Sequence, residues 1–441
     1  MSSILATLNP TAFTGPLRSQ NPTRELLSGS LARITSPLPL ESTPGFCSLL
    51  ATSSAYGCLI AATVDGIIVI DVQDLSERWR KVSRGSTPPL ADLGRHQAIP
   101  IPQGRVHHVA LSLDESTLLL GLASGEILVF DLRTLTASSL PLRTLPVPTA
   151  IGDRSCAIRD LQPNPKALPN TVAVLYTNGN YSLIDFATEN VAYTSGFGGQ
   201  DRVTALAWSR LGKQLMIGTY HGELRRCSLD GSVTKRVPPP SDLEDTVHQV
   251  AHIQLLDNNG NTVVYGEQEP SSAFFDPAGK LDREPPHDNK VYVLSWDKGV
   301  ENVTFRRCGY ICGPTGIQER EDKYFNITLN HWGALTPRIV ILAATPSPYF
   351  GFLAERTDIE VEGVNGVFRG WEVWDLEEGL GPALPLTRPG DEETSPIGLA
   401  LYLASTTPLP PLDPDADDPN CPAARPARIS PSRISRALAM G

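Results

Sequence analysis

The chain has 441 residues and a formal net charge of −11, and hydrophobic residues make up 41% of it, so it is long and apolar enough to bury a core. No lysine or arginine cluster forms a basic stripe, which argues against nucleic acid as a direct ligand, and no apolar run approaches the ~18 residues of a bilayer span, which argues against membrane insertion. Seven cysteines without a CxxC pair, in a chain without an opening signal segment, predict reduced thiols in the cytosol or nucleus.

Four predicted hairpins recur along the first half of the chain. Each consists of an apolar run, a turn in which a polar or small residue precedes glycine, and a second apolar run. Because glycine adopts the positive φ that tight hairpin turns need, the pattern predicts β-hairpins. In chain order they are CLIAATVDGIIVIDVQDL (58–75), TLLLGLASGEILVFDLRTL (117–135), TVAVLYTNGNYSLIDFAT (171–188) and QLMIGTYHGELRRCSL (214–229).

A further apolar segment precedes each hairpin and a more polar one follows it, which predicts a four-stranded antiparallel unit. The four turn glycines, at positions 66, 125, 179 and 222, are 59, 54 and 43 residues apart, which fits the ~40 to 45 residues of a WD-type blade plus inserted loops. The predicted fold class is therefore all-β: a seven-bladed, irregular, WD-repeat-like β-propeller. The preceding segments are GFCSLLATS (45–53), RVHHVALSL (105–113), AIRDLQPNP (157–165) and RVTALAWSR (202–210).

Three later units match this repeat pattern less closely. Segments 247–267 and 289–299 supply a fifth unit, four segments between 326 and 377 supply a sixth, and 395–405 opens a seventh. The chain then becomes proline-rich without a β pattern, so the last blade is incomplete unless an N-terminal strand within 31–40 closes it. The predicted organisation is an N-terminal segment with a closing strand (1–40), a propeller (41–405) and a disordered, proline-rich tail (406–441).

The sequence carries no pattern for catalysis or cofactor binding. Nucleotide-binding glycine motifs, the HExxH zinc motif and the GxSxG hydrolase motif are absent, so we expect no enzyme activity, no catalytic residues and no cofactor. His107 and His108 alternate along a predicted strand and point to opposite faces, which disfavours a shared metal. Cys308 and Cys312, four residues apart, are better explained as buried thiols than as metal ligands. Four aspartates that end equivalent strands are interpreted as turn acceptors: Asp71, Asp131, Asp185 and Asp375.

Three segments have the features of a protein-docking surface. Segment 372–393 has seven acidic residues against Arg388 alone, a net charge of −6. An apolar anchor with acidic neighbours suits a basic partner, because desolvated aromatic side chains supply affinity and charges at the rim supply steering. The alternative explanation is a solvated acidic face beside a partly buried strand. The candidate partner-binding residues are Asp242, Glu244 and Asp245 in segment 238–250, and Tyr349, Phe350 and Phe352 in segment 345–358.

Residues from about 40 to 405 resemble a nucleoporin family: the N-terminal propeller of the large FG-repeat nucleoporins of the cytoplasmic filaments of the nuclear pore. The resemblance lies, in order and spacing, in SSAYGCLIAATVDGIIVIDVQDL (53–75), IRDLQPNPKALPNTVAVLYTNGNYSLIDF (158–186) and RVTALAWSRLGKQLMIGTYHGELRRCSLDGSVTKRVPPP (202–240). DEETSPIGLALYLAS (391–405) matches the family's late acidic loop and apolar strand.

This resemblance implies a function in messenger RNA export. Propellers of the family bind no RNA themselves and dock the DEAD-box helicase that strips export factors from messenger RNA at the cytoplasmic face of the pore, while other regions join further nucleoporins. The matching positions imply that Glu244 and Asp245 present acids to the helicase, and that Phe350 and Tyr349 present an apolar contact. The alternative function is a generic WD-repeat scaffold for another complex, in ribosome biogenesis or ubiquitin transfer.

Overall fold

The computed structural model describes sixteen parts of the chain. They are residues 44–79, 95–135, 139–148, 156–196, 201–243, 248–256, 260–267, 289–296, 303–309, 323–330, 336–345, 347–363, 366–374, 384, 396–402 and 437–440.

Nearly all described secondary structure is antiparallel β-sheet. There are six four-stranded sheets, one two-stranded sheet and one short helix, α1 (Val72–Trp79). Sheet 1 comprises β1 (Leu50–Ser53), β2 (Cys58–Ala62), β3 (Gly66–Asp71) and β4 (His96–Pro100). Sheet 2 comprises β5 (Val106–Leu111), β6 (Thr117–Leu122), β7 (Ile127–Asp131) and β8 (Arg143–Leu145). Sheet 3 comprises β9 (Ile158–Pro163), β10 (Thr171–Tyr176), β11 (Tyr181–Asp185) and β12 (Asn190–Thr194).

The later sheets follow the same order. Sheet 4 comprises β13 (Val203–Trp208), β14 (Gln214–Thr219), β15 (Leu224–Ser228) and β16 (Val233–Val237). Sheet 5 comprises β17 (His248–Leu255), β18 (Gly260–Glu267), β19 (Lys290–Trp296) and β20 (Val303–Arg307). Sheet 6 comprises β21 (Tyr324–Asn330), β22 (Arg338–Ala344), β23 (Phe350–Gly363) and β24 (Gly366–Val373). Sheet 7 comprises β25 (Gly398–Leu401) and β26 (Ala437–Met440).

The four hairpins predicted from the turn glycines are confirmed. Gly179 and Gly222 have φ of 83° and 78°, a region that residues with a Cβ rarely adopt. Each glycine also lies against the first residues of the next sheet: a Cβ on Gly179 would overlap Arg202, and one on Gly222 would lie 2.8 Å from the carbonyl oxygen of His248. The turn glycine therefore serves both the hairpin and the packing between neighbouring sheets.

The core consists of the layers between adjacent sheets. β2 and β10 are buried at every residue, because neighbouring sheets cover both faces of an inner strand. Between sheets 4 and 5, for example, Leu224 packs in one cluster with Tyr265 and Tyr292, whose rings meet edge to face with centroids 5.6 Å apart. Inner strands therefore read as continuous apolar runs, whereas the outer strand β16 alternates between partly buried and exposed residues before its buried end.

The first strands of the sheets form a closed cycle. β1, β5, β9, β13, β17, β21 and β25 contact one another in that order, and β25 contacts β1 again. The closing contact includes hydrogen bonds from the Leu49 amide to the Ile397 carbonyl at 2.9 Å and from the Thr52 hydroxyl to the Leu401 carbonyl at 2.8 Å. Closure satisfies backbone groups that an open ring would expose.

The C-terminal strand corrects one prediction. Ala437–Met440 lies in the segment predicted to be a disordered tail, yet it pairs antiparallel with β25, with Gly398 opposite Met440. The sequence missed this pairing because β26 is remote along the chain from β25 and no local turn joins the two. The predicted closing strand within 31–40 lies outside the described residues, and the seventh blade beyond these two strands stays a prediction.

The antiparallel order of each sheet gives the ring two distinct faces. The turns between first and second strands and between third and fourth strands lie at one end, which we call the turn face; it includes residues 209–213 and 229–232. The turns between second and third strands and the connections between sheets lie at the other end, the linker face. It includes residues 238–243 after β16, and residues 345 and 347–349 between β22 and β23.

Strand-ending aspartates act as turn acceptors where the structure describes them. The carboxylate of Asp71 accepts a hydrogen bond from the amide of Asp74, that of Asp131 from the amide of Arg133, and that of Asp185 from the amide of Ala187, at 2.9 to 3.0 Å. Asp375 lies outside the described residues. Within the described part of the chain, no helix is long and apolar enough to cross a membrane.

Candidate protein-docking face

Topology brings the three predicted docking segments to the linker face. Asp242 lies between the end of β16 and the start of β17, and Tyr349 lies between β22 and β23. Segment 372–393 begins at the end of β24, which reaches the same face. Three segments that are up to about 150 residues apart in sequence thus emerge on one side of the ring, on sheets 4 to 6.

Asp242 is held by the protein itself. Its Oδ2 accepts a hydrogen bond from the Tyr292 hydroxyl at 3.1 Å and lies 3.9 Å from the Arg307 guanidinium. Leu243 beside it packs on the apolar cluster between sheets 4 and 5. These contacts anchor the start of the acidic loop, while Glu244 and Asp245 lie outside the described residues and stay predictions.

Of the three candidate aromatic residues, only Tyr349 is exposed. Its side chain keeps 47% of its accessible surface, whereas Phe350 keeps 8% and Phe352 keeps 2%. The two phenylalanines belong to the core of sheet 6, because residues two apart on a strand share a face and here that face is the inner one. The expectation that Phe350 and Phe352 are surface anchors is therefore wrong.

A residue of the acidic segment packs beside Tyr349. Leu384 is buried in the same cluster as Phe350 and Phe352, and its amide donates to the Pro348 carbonyl at 2.7 Å. On the other side of the turn, the Tyr349 amide donates to the Ser347 hydroxyl at 3.2 Å. The exposed ring of Tyr349 therefore lies on a fixed turn, next to the point where a segment of net charge −6 is attached.

The first acid of that segment is neutralised locally. Glu372 accepts a hydrogen bond from the Arg356 guanidinium at 2.8 Å and another from the Trp374 indole at 3.1 Å. Arg356 also pairs with Asp358, and these two carboxylates raise the pKa of its guanidinium. Glu372 consequently contributes to the architecture of sheet 6 more than to the negative field of the face.

A partly buried ion pair between sheets 3 and 6 escaped prediction. Lys323, which precedes β21, donates to Asp160 of β9 at 2.7 Å, so sheets 3 and 6 are joined across 163 residues of sequence. The Gln162 amide donates to the other oxygen of Asp160 at 2.7 Å. Burial alone would raise the pKa of the Asp160 carboxyl, but the charge of Lys323 reverses this and leaves that pKa below its ordinary value. The only sign of this ion pair in the sequence is Asp160, an acidic residue in the middle of a predicted strand.

The neighbouring histidine is held neutral. His108 is fully buried, and its Nε2 lies 2.8 Å from the Ile158 carbonyl oxygen, so this nitrogen carries the proton. Burial, with the nearby Lys323 charge, lowers the pKa of His108 to about 3. His107 is buried too. Among the described residues no group of three or more His, Cys, Asp or Glu side chains could hold a metal ion.

None of the described cysteines forms a disulfide, and all of them are buried. Burial raises the pKa of the Cys58 thiol to about 11 and that of Cys308 to about 12, so neither is a nucleophile at neutral pH. Cys312 lies outside the described residues. The five cysteines are Cys47, Cys58, Cys156, Cys227 and Cys308.

Six four-stranded antiparallel sheets, arranged around a ring of first strands, define an all-β propeller. The chain belongs to the NUP159/214 β-propeller family, whose model matches residues 44–423. The predicted all-β propeller and the predicted family are therefore confirmed, with six four-stranded blades among the described residues, and the predicted count of seven blades stays a prediction.

Relatives in this family are much longer nucleoporins. The chain is 24% identical to nucleoporin NUP159 of Chaetomium thermophilum over 373 residues, which is 81% of this chain and 23% of that protein. It is 27% identical over 220 residues to nucleoporin nup146 of Schizosaccharomyces pombe, covering 49% of this chain and 15% of that protein. Human Nup214 is 25% identical over 362 residues, covering 80% and 16%. The chain thus spans less than a quarter of these relatives.

Two solved structures share the fold. The crystal structure of the N-terminal domain of Nup159 superposes with a TM-score of 0.57 at 17% identity, covering 86% of this chain and 94% of that one. A Nup159 chain from an S. cerevisiae complex of Dbp5 with Nup159, Gle1, IP6 and ADP matches with a TM-score of 0.55 and the same coverage. At this identity the likeness shows the fold alone.

Proposed function

We propose that this chain is a non-enzymatic docking domain at the cytoplasmic face of the nuclear pore complex, where it binds a DEAD-box RNA helicase and so promotes messenger RNA export. The proposal is supported chiefly by one observation: exposed Tyr349 lies on the linker face, beside the anchored acidic segment. Family membership adds support, because a Nup159 propeller has been solved in a complex with Dbp5, a DEAD-box helicase.

The chemistry of the face suits such a partner. RNA helicases bind a phosphate backbone and therefore carry a basic surface, which a face of negative charge attracts and can cover. Tyr349 supplies a large amphipathic side chain whose turn is already ordered, so little conformational entropy is lost when a partner packs on it. Segment 372–393, together with Glu244 and Asp245, supplies the steering charge.

The buried residues have supporting roles in this proposal. Phe350 and Phe352 fix the turn that presents Tyr349, and Asp242, through Tyr292, fixes the start of the loop that carries Glu244 and Asp245. Substituting these buried residues lowers stability and binding together, so they are poor probes of the contact itself. Tyr349, Glu244 and Asp245 are the residues to test.

The experiment is biolayer interferometry with the immobilised chain and a purified Dbp5-type helicase, at low and at physiological salt. We expect Tyr349→Ser, and separately the double reversal of Glu244→Lys with Asp245→Lys, each to weaken helicase binding about tenfold or more. The matched control is Asp230→Lys, an exposed acid on the turn face, which should leave helicase affinity unchanged. Thermal unfolding should give wild-type midpoints for all variants. Undiminished helicase binding by both linker-face variants would refute the proposal.

A further inference from the structure

A pocket of about 400 Å³ opens on the turn face, between sheets 4 and 5. It lies at the opposite ends of the strands from Asp242 and Tyr349, so it is separate from the face assigned to the helicase. Its lining combines apolar and basic side chains. The lining residues that carry the argument are Arg210, Leu211, Lys213, Met216, Arg226 and Leu255.

The pocket concentrates positive charge in a chain of net charge −11. Arg210, Lys213 and Arg226 line it, and none of the residues that line it is an aspartate or glutamate. Arg210 and Lys213 are exposed, and neither forms an ion pair with any residue that the structure describes. Arg226 is half-buried, and burial lowers the pKa of its guanidinium. An anion placed here would compensate the charges of Arg210 and Lys213, which no described acid pairs.

Apolar surface adjoins these cations. Leu211 keeps 43% of its accessible surface at the pocket, and Leu168 of the neighbouring turn in sheet 3 keeps 38%. The Ala167 amide donates to the Leu211 carbonyl at 3.0 Å, so the two turns, and hence the two leucines, are held close together. Met216 and Leu255 continue the apolar lining inside the pocket.

The turn that forms the pocket is rigid before any ligand binds. Asn164 of sheet 3 is fully buried, and its side-chain amide donates to the Gly212 carbonyl at 2.8 Å. Gly212 has φ of 66°, and a Cβ there would overlap the Asn164 side chain. The Ser209 hydroxyl accepts from the amides of Lys213 and Gln214 at 3.2 and 3.1 Å. A preorganised site loses little entropy on binding.

From these features we propose that the pocket binds an acidic peptide segment of a partner protein, with carboxylates on Arg210, Lys213 and Arg226 and one apolar side chain against Leu211 and Met216. The size suits one or two side chains. Nucleic acid is disfavoured because Trp208, the one aromatic residue among the described lining residues, is buried and donates its indole N–H to the Gln162 carbonyl at 2.8 Å. The described lining therefore offers no exposed ring on which a base could stack.

The test uses a short fluorescein-labelled peptide of aspartates and glutamates around a single leucine, with fluorescence anisotropy on the purified chain. We expect saturable binding that weakens about tenfold with Lys213→Glu and, in a second variant, with Arg210→Glu. Arg133→Glu is the matched control, because Arg133 is an exposed cation of the same face on sheet 2; it should bind like wild type. A peptide with serine for leucine, and one with amides for the carboxylates, should each bind more weakly.

Four results would overturn the proposal. They are equal affinity of wild type and Lys213→Glu, equal loss with Arg133→Glu, equal binding of the amide peptide, and tighter binding of a single-stranded RNA of the same net charge. Self-association abolished by Lys213→Glu, seen by analytical ultracentrifugation, would identify a second copy of the chain as the occupant instead. Helicase binding should be unchanged in Lys213→Glu, which makes failure here distinguishable from failure of the docking proposal.

Discussion

The Lys323–Asp160 bridge is expected to be a major source of stability for the ring. We consider Lys323→Met, which removes the ammonium but keeps the length of the side chain. At 2.7 Å the pair gains about 6 kcal/mol of Coulomb energy at an effective dielectric constant of about 20. Desolvation offsets much of this gain in the intact pair, but the lone carboxylate left in the variant still bears its own desolvation cost.

The free energy of unfolding of Lys323→Met should therefore fall by about 3 to 5 kcal/mol, since the side chains of Lys323 and Asp160 keep only 13% and 19% of their accessible surface. Asp160→Asn should cost a similar amount. The double variant should cost less than the sum by about 2 kcal/mol, because the second change removes a charge that the first left unpaired.

Urea unfolding followed by far-UV circular dichroism measures these quantities. The matched control is the Arg143–Glu189 pair, which also joins two sheets but at 3.4 Å with both side chains more than a third exposed. Removing either partner there should cost less than about 1 kcal/mol. If the two pairs gave the same small losses, the Lys323–Asp160 bridge would behave as a solvated surface pair and the reasoning would be refuted.

Three further predictions concern the scaffold. Gly179→Ala should lower the free energy of unfolding by about 1 to 3 kcal/mol, because φ is positive and a Cβ would overlap Arg202, whereas Gly196→Ala, with open space around it, should change it little; equal effects in urea unfolding would contradict this. His108 has a pKa of about 3 in the folded protein and an ordinary value of 6.5, so the unfolded chain binds the extra proton and stability falls as pH drops below 6.5. By pH ~5 this proton binding lowers the free energy of unfolding by about 2 kcal/mol. In urea unfolding at several pH values, the midpoint of His108→Gln should therefore fall less steeply with decreasing pH than that of wild type. Cys308, whose pKa is raised to about 12, should resist a thiol reagent at pH ~8 until urea unfolds the chain; rapid labelling of native Cys308, located by mass spectrometry, would count against its burial.

Local chemistry explains which parts of the fold the sequence could predict. Hairpins were predictable because the residues that decide them are neighbours: a glycine such as Gly179 supplies the turn, and an aspartate such as Asp185 accepts the amides that follow. The strand β26 and the Lys323–Asp160 bridge depend on partners tens to hundreds of residues away. No turn residue or periodicity specifies such pairs.

Segment 345–358 shows what the alternation of residues along a strand cannot predict. The alternation of side chains along a strand correctly places Phe350 and Phe352 on one face. Which face is covered depends on residues remote in sequence, such as Leu384 and Leu399, which pack in the same cluster. Tyr349 precedes the strand and stays outside. The segment therefore does contain a candidate anchor, displaced by one residue from where the sequence alone would place the strongest apolar contact.

The two faces of the ring would recognise partners by different physics. The docking proposal assigns recognition at the linker face mostly to the charge of segment 372–393. Such charge raises association rates, and salt screens its effect over a Debye length of about 10 Å. On the turn face, Lys213 and Arg210 are exposed on a short turn that Asn164 fixes, at the mouth of the pocket. Affinity there should depend more on the dissociation rate and on shape complementarity, because the turn is already ordered in the folded protein and loses little conformational entropy on binding. Taken together, the two proposals have one acidic propeller attract a basic partner at one face and retain an acidic peptide at the other, since Asp242 and Tyr349 lie at the opposite ends of the strands from Lys213.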